Sequence, residues 1–330
     1  MKLTEVFEGF QNKRIAIVGD VMLDTYIMGK VHRMSPEAPV PILLLNQEDQ
    51  RLGGAANVAL NLKALGAEVF LCSVVGKDVQ GLKLIELLQD AGIECSGILQ
   101  DDSRKTTVKT RVLSGSQHLL RIDQEDLHAL ENAVAHRLIN CVEHLINQGI
   151  DALIFEDYNK GVLTEDVIVQ CIAFARAHGV VTCVDPKKDH FFSYQNVDLF
   201  KPNLKELKDG LGCEINPRAL ATLTNASSKL RDRLNHKTSL ITLSEFGVFV
   251  DDGSQEFIIP AHFRDISDVS GAGDTVIAVA TLALCSGLSM KQVAALANLA
   301  GGMVCEHSGV VSVNRLELLD EAIKLKEFHE

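Results

Sequence analysis

The sequence predicts an α/β fold: a doubly wound, mostly parallel sheet flanked by helices, with a small β-sheet lid at its side. Three observations predict it. Short apolar runs ending in Gly or an acidic residue alternate with helix-length amphipathic stretches, the rhythm of βα units. The 330 residues are 46% hydrophobic, enough for one large core. Two early pieces, about 24–45 and 104–123, are not helical and break that rhythm, so they form a separate sheet.

Residues 14–19, RIAIVG, read as a first strand buried on both faces. Ligands of parallel sheets sit at the carboxyl ends of strands, which places Asp20 and Asp24 near a site. The run GDVMLD lacks G-x-G-x-x-G, so dinucleotide binding is disfavoured. Pro36, Pro39 and Pro41 exclude a helix and suit edge strands. Gly53 and Gly54 permit a close backbone approach, and Asn57 opens a helix that ends at Gly66. AEVFLCSVVG follows as a buried strand, then a helix stopped by Gly92. Residues 105–123 alternate around a Ser114-Gly115-Ser116 turn and read as a hairpin. Its cations are Arg104, Lys105, Lys109, Arg111 and Arg121, which serve either a ligand or a charged edge that blocks aggregation.

A helical stretch, 126–148, precedes the return of the βα rhythm. DALIFEDY is a strand ending in acids; helix 164–178 leads into a strand ending at Asp185-Pro186-Lys187. Asn203 opens the next helix. SLITLSEFGVFV reads as strand, turn and strand, with Thr242, Ser244 and Gly247 at the turn. Helices 271–286, 289–306 and 314–328 complete the chain. No repeat, low-complexity segment or linker interrupts it, so 1–330 is read as one domain with the lid segments inserted.

The net charge of −12 and pI near 5.4 argue against a nucleic-acid or anionic-membrane surface. The N-terminal stretch has no long apolar core of the signal-peptide kind, and the longest apolar run, around 276–285, is too short to span a bilayer. Eight cysteines never form CxxC, and most lie in apolar runs. They suit a reducing, cytoplasmic setting rather than zinc or a disulfide framework.

The chemistry centres on residues 265–286, DISDVSGAGDTVIAVATLALCS. Gly271-Ala272-Gly273-Asp274 heads an apolar helix, where free N–H groups and the helix dipole favour an anion. A carboxylate there repels the anion and so needs a role. Asp274 either takes a proton from a hydroxyl attacking a phosphoryl group, with the amides of 271–273 stabilising the developing charge, or is a plain N-cap. No GxxxxGK[ST] occurs, which disfavours P-loop chemistry.

Gly53-Gly54-Ala55-Ala56-Asn57-Val58-Ala59, followed by Gly66 and Gly76, resembles the first signature of the ribokinase-like (PfkB) carbohydrate kinases. DVSGAGD resembles their second, over 200 residues later, and the intervening NLKE resembles their N-x-x-E motif. The likeness runs the whole length of the chain. VGDVMLD, MSPEAPVPI, TVKTRVLS, LLRID, DYNKG, VDPK and KPNLKE look most like the D-glycero-β-D-manno-heptose 7-phosphate kinases. That resemblance implies transfer of phosphate from ATP to the anomeric O1, giving the 1,7-bisphosphate used in ADP-heptose and lipopolysaccharide synthesis. Without an HxGH-type motif, the stand-alone kinase form is expected. Departures from the pattern are Val269-Ser270 for a Thr-rich pair, Leu52 for Pro, Glu156 for a small residue and Leu243 for Arg.

By this resemblance Asp274 is the base, and Gly271, Ala272 and Gly273 form the anion hole. Glu206 organises Mg²⁺, through water, and Asn203 supports the phosphates. Lys187 reaches the ATP phosphates as a point charge, and Thr242, Ser244 and Gly247 form a nucleotide-phosphate loop. Asn298 lies near the adenine or is a buried hydrogen-bonding Asn. Asp20, Asp24, Gly53, Gly54, Asn57, Asp157 and Lys160 face the sugar. A phosphorylated sugar needs a second anion site, for which Arg33, Lys109, Arg111 and Arg121 are candidates. The lid closes over substrate, and a homodimer through it is expected. Three other readings compete: a kinase for ribose, fructose or tagatose 6-phosphate, a non-catalytic sugar-binding protein, and a nicotinamide-dependent oxidoreductase, which lacks its fingerprint.

Overall fold

The computed structural model describes residues 2–115 and 117–329, so Ser116 of the expected turn lies outside the described residues. After helix α1 (Leu3–Gly9), strand β1 (Arg14–Gly19) enters the middle of the molecule. Two long strands follow, β2 (Val21–Met34) and β3 (Pro41–Gly54), then α2 (Ala55–Leu65), β4 (Glu68–Gly76), α3 (Val79–Asp90) and β5 (Ile98–Asp101). The hairpin β6 (Val108–Ser114) and β7 (Gln117–Gln124) precedes α4 (Asn132–Asn147), β8 (Ala152–Glu156), α5 (Glu165–Ala177), β9 (Val181–Asp185) and the short β10 (Leu199–Phe200). Then come α6 (Leu204–Leu211), α7 (Leu220–Leu234), β11 (Thr238–Thr242), β12 (Val248–Asp251) and β13 (Glu256–Ile259). Helices α8 (Ala272–Cys285), α9 (Met290–Val304) and α10 (Arg315–Ala322) follow.

The large sheet has the order β13-β12-β11-β10-β9-β8-β1-β4-β5. It is parallel from β11 to β5, and only β12 and β13 pair antiparallel. Period-two alternation feeds both faces, as a sheet covered on two sides requires. Ile15, Ile17, Val69, Leu71 and Ile154 pack against α2, α8 and α9. Ala16, Val18, Phe70, Cys72 and Phe155 pack against α4, α5 and α7. β1 lies between β4 and β8, so the chain leaves it in opposite directions. That switch point is where a ligand crevice opens in such sheets.

The second sheet has the order β3-β2-β6-β7. The first pair reaches further than the expected 24–45: only Asp20 separates β1 from β2, and β3 runs on to the double glycine, whereas the second pair, expected over 104–123, begins at Val108 and ends at Gln124. Helix α2 therefore begins at Ala55, ahead of Asn57. The expected helix 126–148 is shorter, Asn132–Asn147, because Leu130 N–H bonds to Gly161 O and holds the approach extended. The last helix stops at Ala322, with a 3₁₀ turn at Lys326–Phe328. Among the described residues, no helix is long and apolar enough to cross a membrane.

Candidate active site

The head of α8 is set by Gly271, which caps the helix at φ +79°, a left-handed value that L side chains disfavour. A Cβ there would also stand 2.7 Å from Asn57 Nδ2. Asp274, three residues on, does not cap its own helix. Its Oδ2 accepts from Asn57 Nδ2 at 2.7 Å, and its Oδ1 accepts from the Tyr158 hydroxyl at 2.7 Å. Asn57 is steadied in turn: Asn61 Nδ2 donates to its carbonyl at 2.9 Å, and Asn61 Oδ1 accepts from Thr275 Oγ1 at 3.1 Å. The glycine-led turns of α2 and α8 are thus tied side by side. Burial raises the Asp274 pKa from its ordinary value, against the lowering effect of the two hydrogen bonds. Of the expected anion-hole amides, that of Ala272 also donates to Val269 O at 3.3 Å.

Asp274 opens onto a cavity of about 470 Å³. Its walls include Lys187, Lys201, Asn203, Thr242, Ser244 and Gly273. Strand ends deliver these residues: Asp185 ends β9, Thr242 ends β11, and Asn203 caps α6 after β10. Asn203 and Glu206 form a capping box, with Oδ1 accepting from Glu206 N–H and Oε2 accepting from Asn203 N–H, both at 2.8 Å. Lys187 Nζ reaches Glu206 Oε1 at 2.6 Å. Burial alone lowers its pKa, but Asp185 and Glu206 overcome that and hold it firmly protonated. Ser244 sits at φ +55° in a 3₁₀ turn between β11 and β12, closed by Gly247. Asn298 lies on α9 and donates to Pro260 O at 2.8 Å.

Three carboxylates meet beneath the cavity. Glu156, Asp185 and Asp274 are all buried, and each places an oxygen within 4.8 Å of the others. Lys201, 2% exposed, pairs with Asp185 Oδ2 at 2.8 Å. Both oxygens of Glu156 and Oδ1 of Asp185 are buried without a hydrogen-bond partner. Burial, then Asp185 and Asp274, push the Glu156 pKa well above the usual carboxylate range.

The residues assigned to the sugar divide into two groups. Asp20 is committed to the backbone: its Oδ2 accepts from the N–H of Tyr158 and Lys160 at 2.8 and 3.1 Å, and its Oδ1 from Val162 at 3.2 Å. Asp157 turns inward, accepting from Asn159 N–H at 2.8 Å and the Tyr194 hydroxyl at 2.7 Å. Burial and Asp20 raise its pKa to about 6. These two shape the 157–162 loop that carries Tyr158. Asp24 faces the lid side and pairs with Arg111. Gly53 pairs with Met22 in the strand register and lies against the Asp24 carboxylate, which a side chain there would strike. Gly54 takes φ +60° where β3 turns into α2.

Cross-strand register puts Asp24, Tyr26, Lys109 and Arg111 on one face of the small sheet. Lys109 Nζ lies 5.0 Å from the Tyr158 ring centre, which joins that face to Asp274. Arg121 is taken up by Asp123 at 2.9 Å, and Lys160 by Glu125 at 2.8 Å. Arg33 is exposed towards the strand's outer end.

Four site residues escaped sequence reasoning as functional groups: Tyr158, Asp185, Lys201 and Glu156. Asp185 had a usable signal, an acid at a strand's carboxyl end beside Lys187. Lys201 and Glu156 had only their departure from apolar or small neighbours.

The pfkB family carbohydrate kinase model matches residues 12–316. The chain is 39% identical over 307 residues to the bifunctional protein HldE of Methylobacillus flagellatus, covering 93% of this chain and 62% of that protein. Against HldE of Helicobacter pylori it is 39% identical over 297 residues, covering 90% and 64%. It therefore spans less than two thirds of the length of these relatives. Phosphofructokinase-2 from Escherichia coli, in complex with substrates and products, aligns at a TM-score of 0.78 and 18% identity, covering 94% of this chain and 100% of that one. Arabidopsis thaliana ribokinase complexed with ribose and ATP aligns at 0.73 and 16%, covering 95% and 99%.

Proposed function

We infer the reaction from the premise that the chain belongs to the pfkB family of carbohydrate kinases. The reading is ATP-dependent phosphorylation of O1 of D-glycero-β-D-manno-heptose 7-phosphate, giving the 1,7-bisphosphate for ADP-heptose synthesis. One observation carries the chemistry: Asp274 is held by Asn57 and Tyr158 at a glycine-led helix start, facing a cavity ringed by Lys187, Lys201 and Asn203. The heptose assignment is supported by the likeness to HldE.

Asp274 takes the proton of the acceptor hydroxyl as that oxygen attacks the γ-phosphorus of ATP. The new O–P bond forms as the bond to the β,γ-bridging oxygen breaks, and ADP departs. The raised pKa of Asp274 makes it a better proton acceptor than an exposed carboxylate. The N–H groups at the head of α8 and the Lys187 ammonium stabilise charge on the transferring group. Lys187 enters the transfer already protonated and oriented by Glu206. Asn203, Thr242, Ser244 and Gly247 cradle the nucleotide phosphates from the cavity's other side. Mg²⁺, when bound, would neutralise phosphate charge; Glu206 would organise it through water, and the oxygen-rich cleft, where both Glu156 oxygens and Oδ1 of Asp185 lack a hydrogen-bond donor, suits such an ion.

Asp24 orders the acceptor from the lid side. Lys109 is the lid cation best placed for the sugar phosphate. It is part-buried beside Tyr158, whereas Arg111, Arg121 and Lys160 are paired with acids. The other lid face, with Ile27, Val112, Leu120 and Ile122 in adjacent register, leaves Leu120 and Ile122 exposed and supports a homodimer. Sedimentation as a monomer at micromolar concentration would sink that assignment.

The test offers purified protein, ATP and Mg²⁺ a panel: heptose 7-phosphate, heptose, ribose, fructose and fructose 6-phosphate. Products are read by mass spectrometry. Bisphosphate from heptose 7-phosphate alone is expected, with Asp274→Asn lowering kcat by about 10²–10⁴. Turnover of another sugar overturns the substrate, and no turnover of any overturns the kinase reading.

A further inference from the structure

We propose that Arg51 is a positioning residue that ties the sugar-facing side of the small sheet to the head of α8, so that acceptor and phosphoryl group are held in line. Arg51 stands on β3 directly opposite Asp24 on β2, which puts it on the face that carries Asp24, Tyr26, Lys109 and Arg111. Its Nε donates to Asp49 Oδ2 at 2.8 Å. Its Nη1 donates to two main-chain carbonyls, those of Ser308 and Val310, both at 3.1 Å. Its Cζ lies 5.1 Å from the Tyr26 ring centre. Tyr26 bridges to the same loop from β2, its hydroxyl accepting from Val310 N–H at 3.2 Å. Arg111, paired with Asp24, lies 5.4 Å from that ring centre. Two neighbouring strands of the small sheet thus grip one short loop that follows α9. A planar guanidinium can take two carbonyls and an acid at once in a fixed fork, which a lysine ammonium cannot.

The gripped loop reaches the phosphate end of the site. Gly309 N–H donates to Asp268 Oδ2 at 3.0 Å, and Ser270 N–H donates to Asp268 Oδ1 at 2.9 Å. Asp268 therefore spans from the loop to the residue before the Gly271 cap. Val310 also lies against that cap, since a Cβ on Gly271 would stand 3.4 Å from its Cγ1. Gly309 takes φ +73°, and a side chain there would meet Arg51 Nη1 at 2.8 Å and the Tyr26 hydroxyl at 3.0 Å. The contacts run from Asp24 through Arg111, Tyr26 and Arg51 to residues 308–310, Asp268 and Ser270. They begin at a group assigned to the acceptor and end beside the amides assigned to the transferring phosphoryl group. In-line transfer is sensitive to small errors between those two ends.

The proposal rests on the kinase reading for its purpose, and its first test needs neither sugar nor nucleotide. Methionine keeps much of the apolar stem of Arg51 and removes its charge and donors. In ligand-free Arg51→Met, amide exchange at Ser270, Gly309 and Val310 should quicken at least about tenfold, with the interior of α8 unchanged. The second test uses whichever sugar the wild type phosphorylates. Arg51→Met should lower kcat at least about tenfold and leave KM for ATP within about threefold. The Arg51 side chain is 33% exposed, so a small cation can enter the space it leaves. Guanidinium ion at sub-denaturing concentration should restore part of kcat in Arg51→Ala and none in Asp274→Asn. Unchanged exchange at the three amides of a folded Arg51→Met overturns the proposal, as does an unchanged kcat. Faster exchange throughout the protein would make Arg51 a general stabilising contact and overturn it too. If the wild type phosphorylates no sugar, the kinase reading falls, and the exchange result still decides whether Arg51 orders the head of α8.

Discussion

Asp274 is held by two donors from two different elements, and Tyr158 is the one that can be altered most cleanly. Its ring lies 5.0 Å from Lys109 Nζ and 5.1 Å from Lys187 Nζ, while its hydroxyl donates to Asp274. Phe keeps the ring contacts and removes only the hydroxyl. A hydrogen bond to a charged group is worth about 1.5–3 kcal/mol, and part of it is retained by water or the acceptor. Tyr158→Phe should therefore lower kcat about tenfold and leave KM for ATP within about twofold. Tyr158→Leu should cost more, because both lysines lose the ring. An unchanged kcat in Tyr158→Phe would remove Tyr158 from the positioning of Asp274. Asp274 itself was legible because a glycine-rich turn before an apolar helix is a local pattern. Tyr158 and Asn57 reach it from 116 and 217 residues away, and their convergence has no local signature.

At the scale of elements, the small sheet carries two chemistries on two faces. Alternation along β2 and β6 sends Asp24, Tyr26, Lys109 and Arg111 towards Tyr158 and sends Ile27 and Val112 the other way. Exposed Leu120 and Ile122 on β7 extend that apolar face. Placing two charges there should dissociate the proposed dimer without disturbing the opposite face. Leu120→Lys with Ile122→Lys is expected to weaken dimerisation at least a hundredfold by sedimentation; a dimer of unchanged strength would move the interface elsewhere. The hairpin was legible from its turn and alternation. The reach of β2 and β3 was not, because Asp20 and the double glycine read as a site rather than as the ends of strands. The same tertiary influence shortened α4, whose expected first turn is held extended by the Leu130–Gly161 backbone bond.

Across the whole molecule, stability depends on buried groups far from the site as well as on the core. His236 is 2% exposed, with Nε2 2.6 Å from Ser239 Oγ. Burial first, then Arg231, lower its pKa from 6.5 to about 4. The unfolded chain takes up that proton near pH 6.5, and the folded chain refuses it until about pH 4. Its contribution is therefore whole above pH 6.5 and is lost as pH falls through that window. By about pH 5 the loss amounts to roughly 2 kcal/mol. Urea unfolding of wild type and His236→Gln at pH 7.5 and 5.0 should show the wild type losing about 2 kcal/mol more than the variant. Equal losses would mean that His236 titrates normally in the folded protein. Buried acids with raised pKa, such as Asp157, act with the opposite sign, so only the difference between the two proteins isolates His236.

The sequence by itself determined the α/β class, the order of βα units, the separate small sheet and the glycine-led helix start bearing Asp274. Each is written in periodicity, turn chemistry or a short motif, and those act over a few residues. Only the tertiary structure decided which charges remain available. It consumed Asp20 and Asp157 in shaping a loop, paired Arg111 with Asp24, and left Glu156 buried beside two other acids without a donor. Charge compensation is settled by distance in space, and strands that are far apart in sequence lie side by side only once β1 is clasped between β4 and β8.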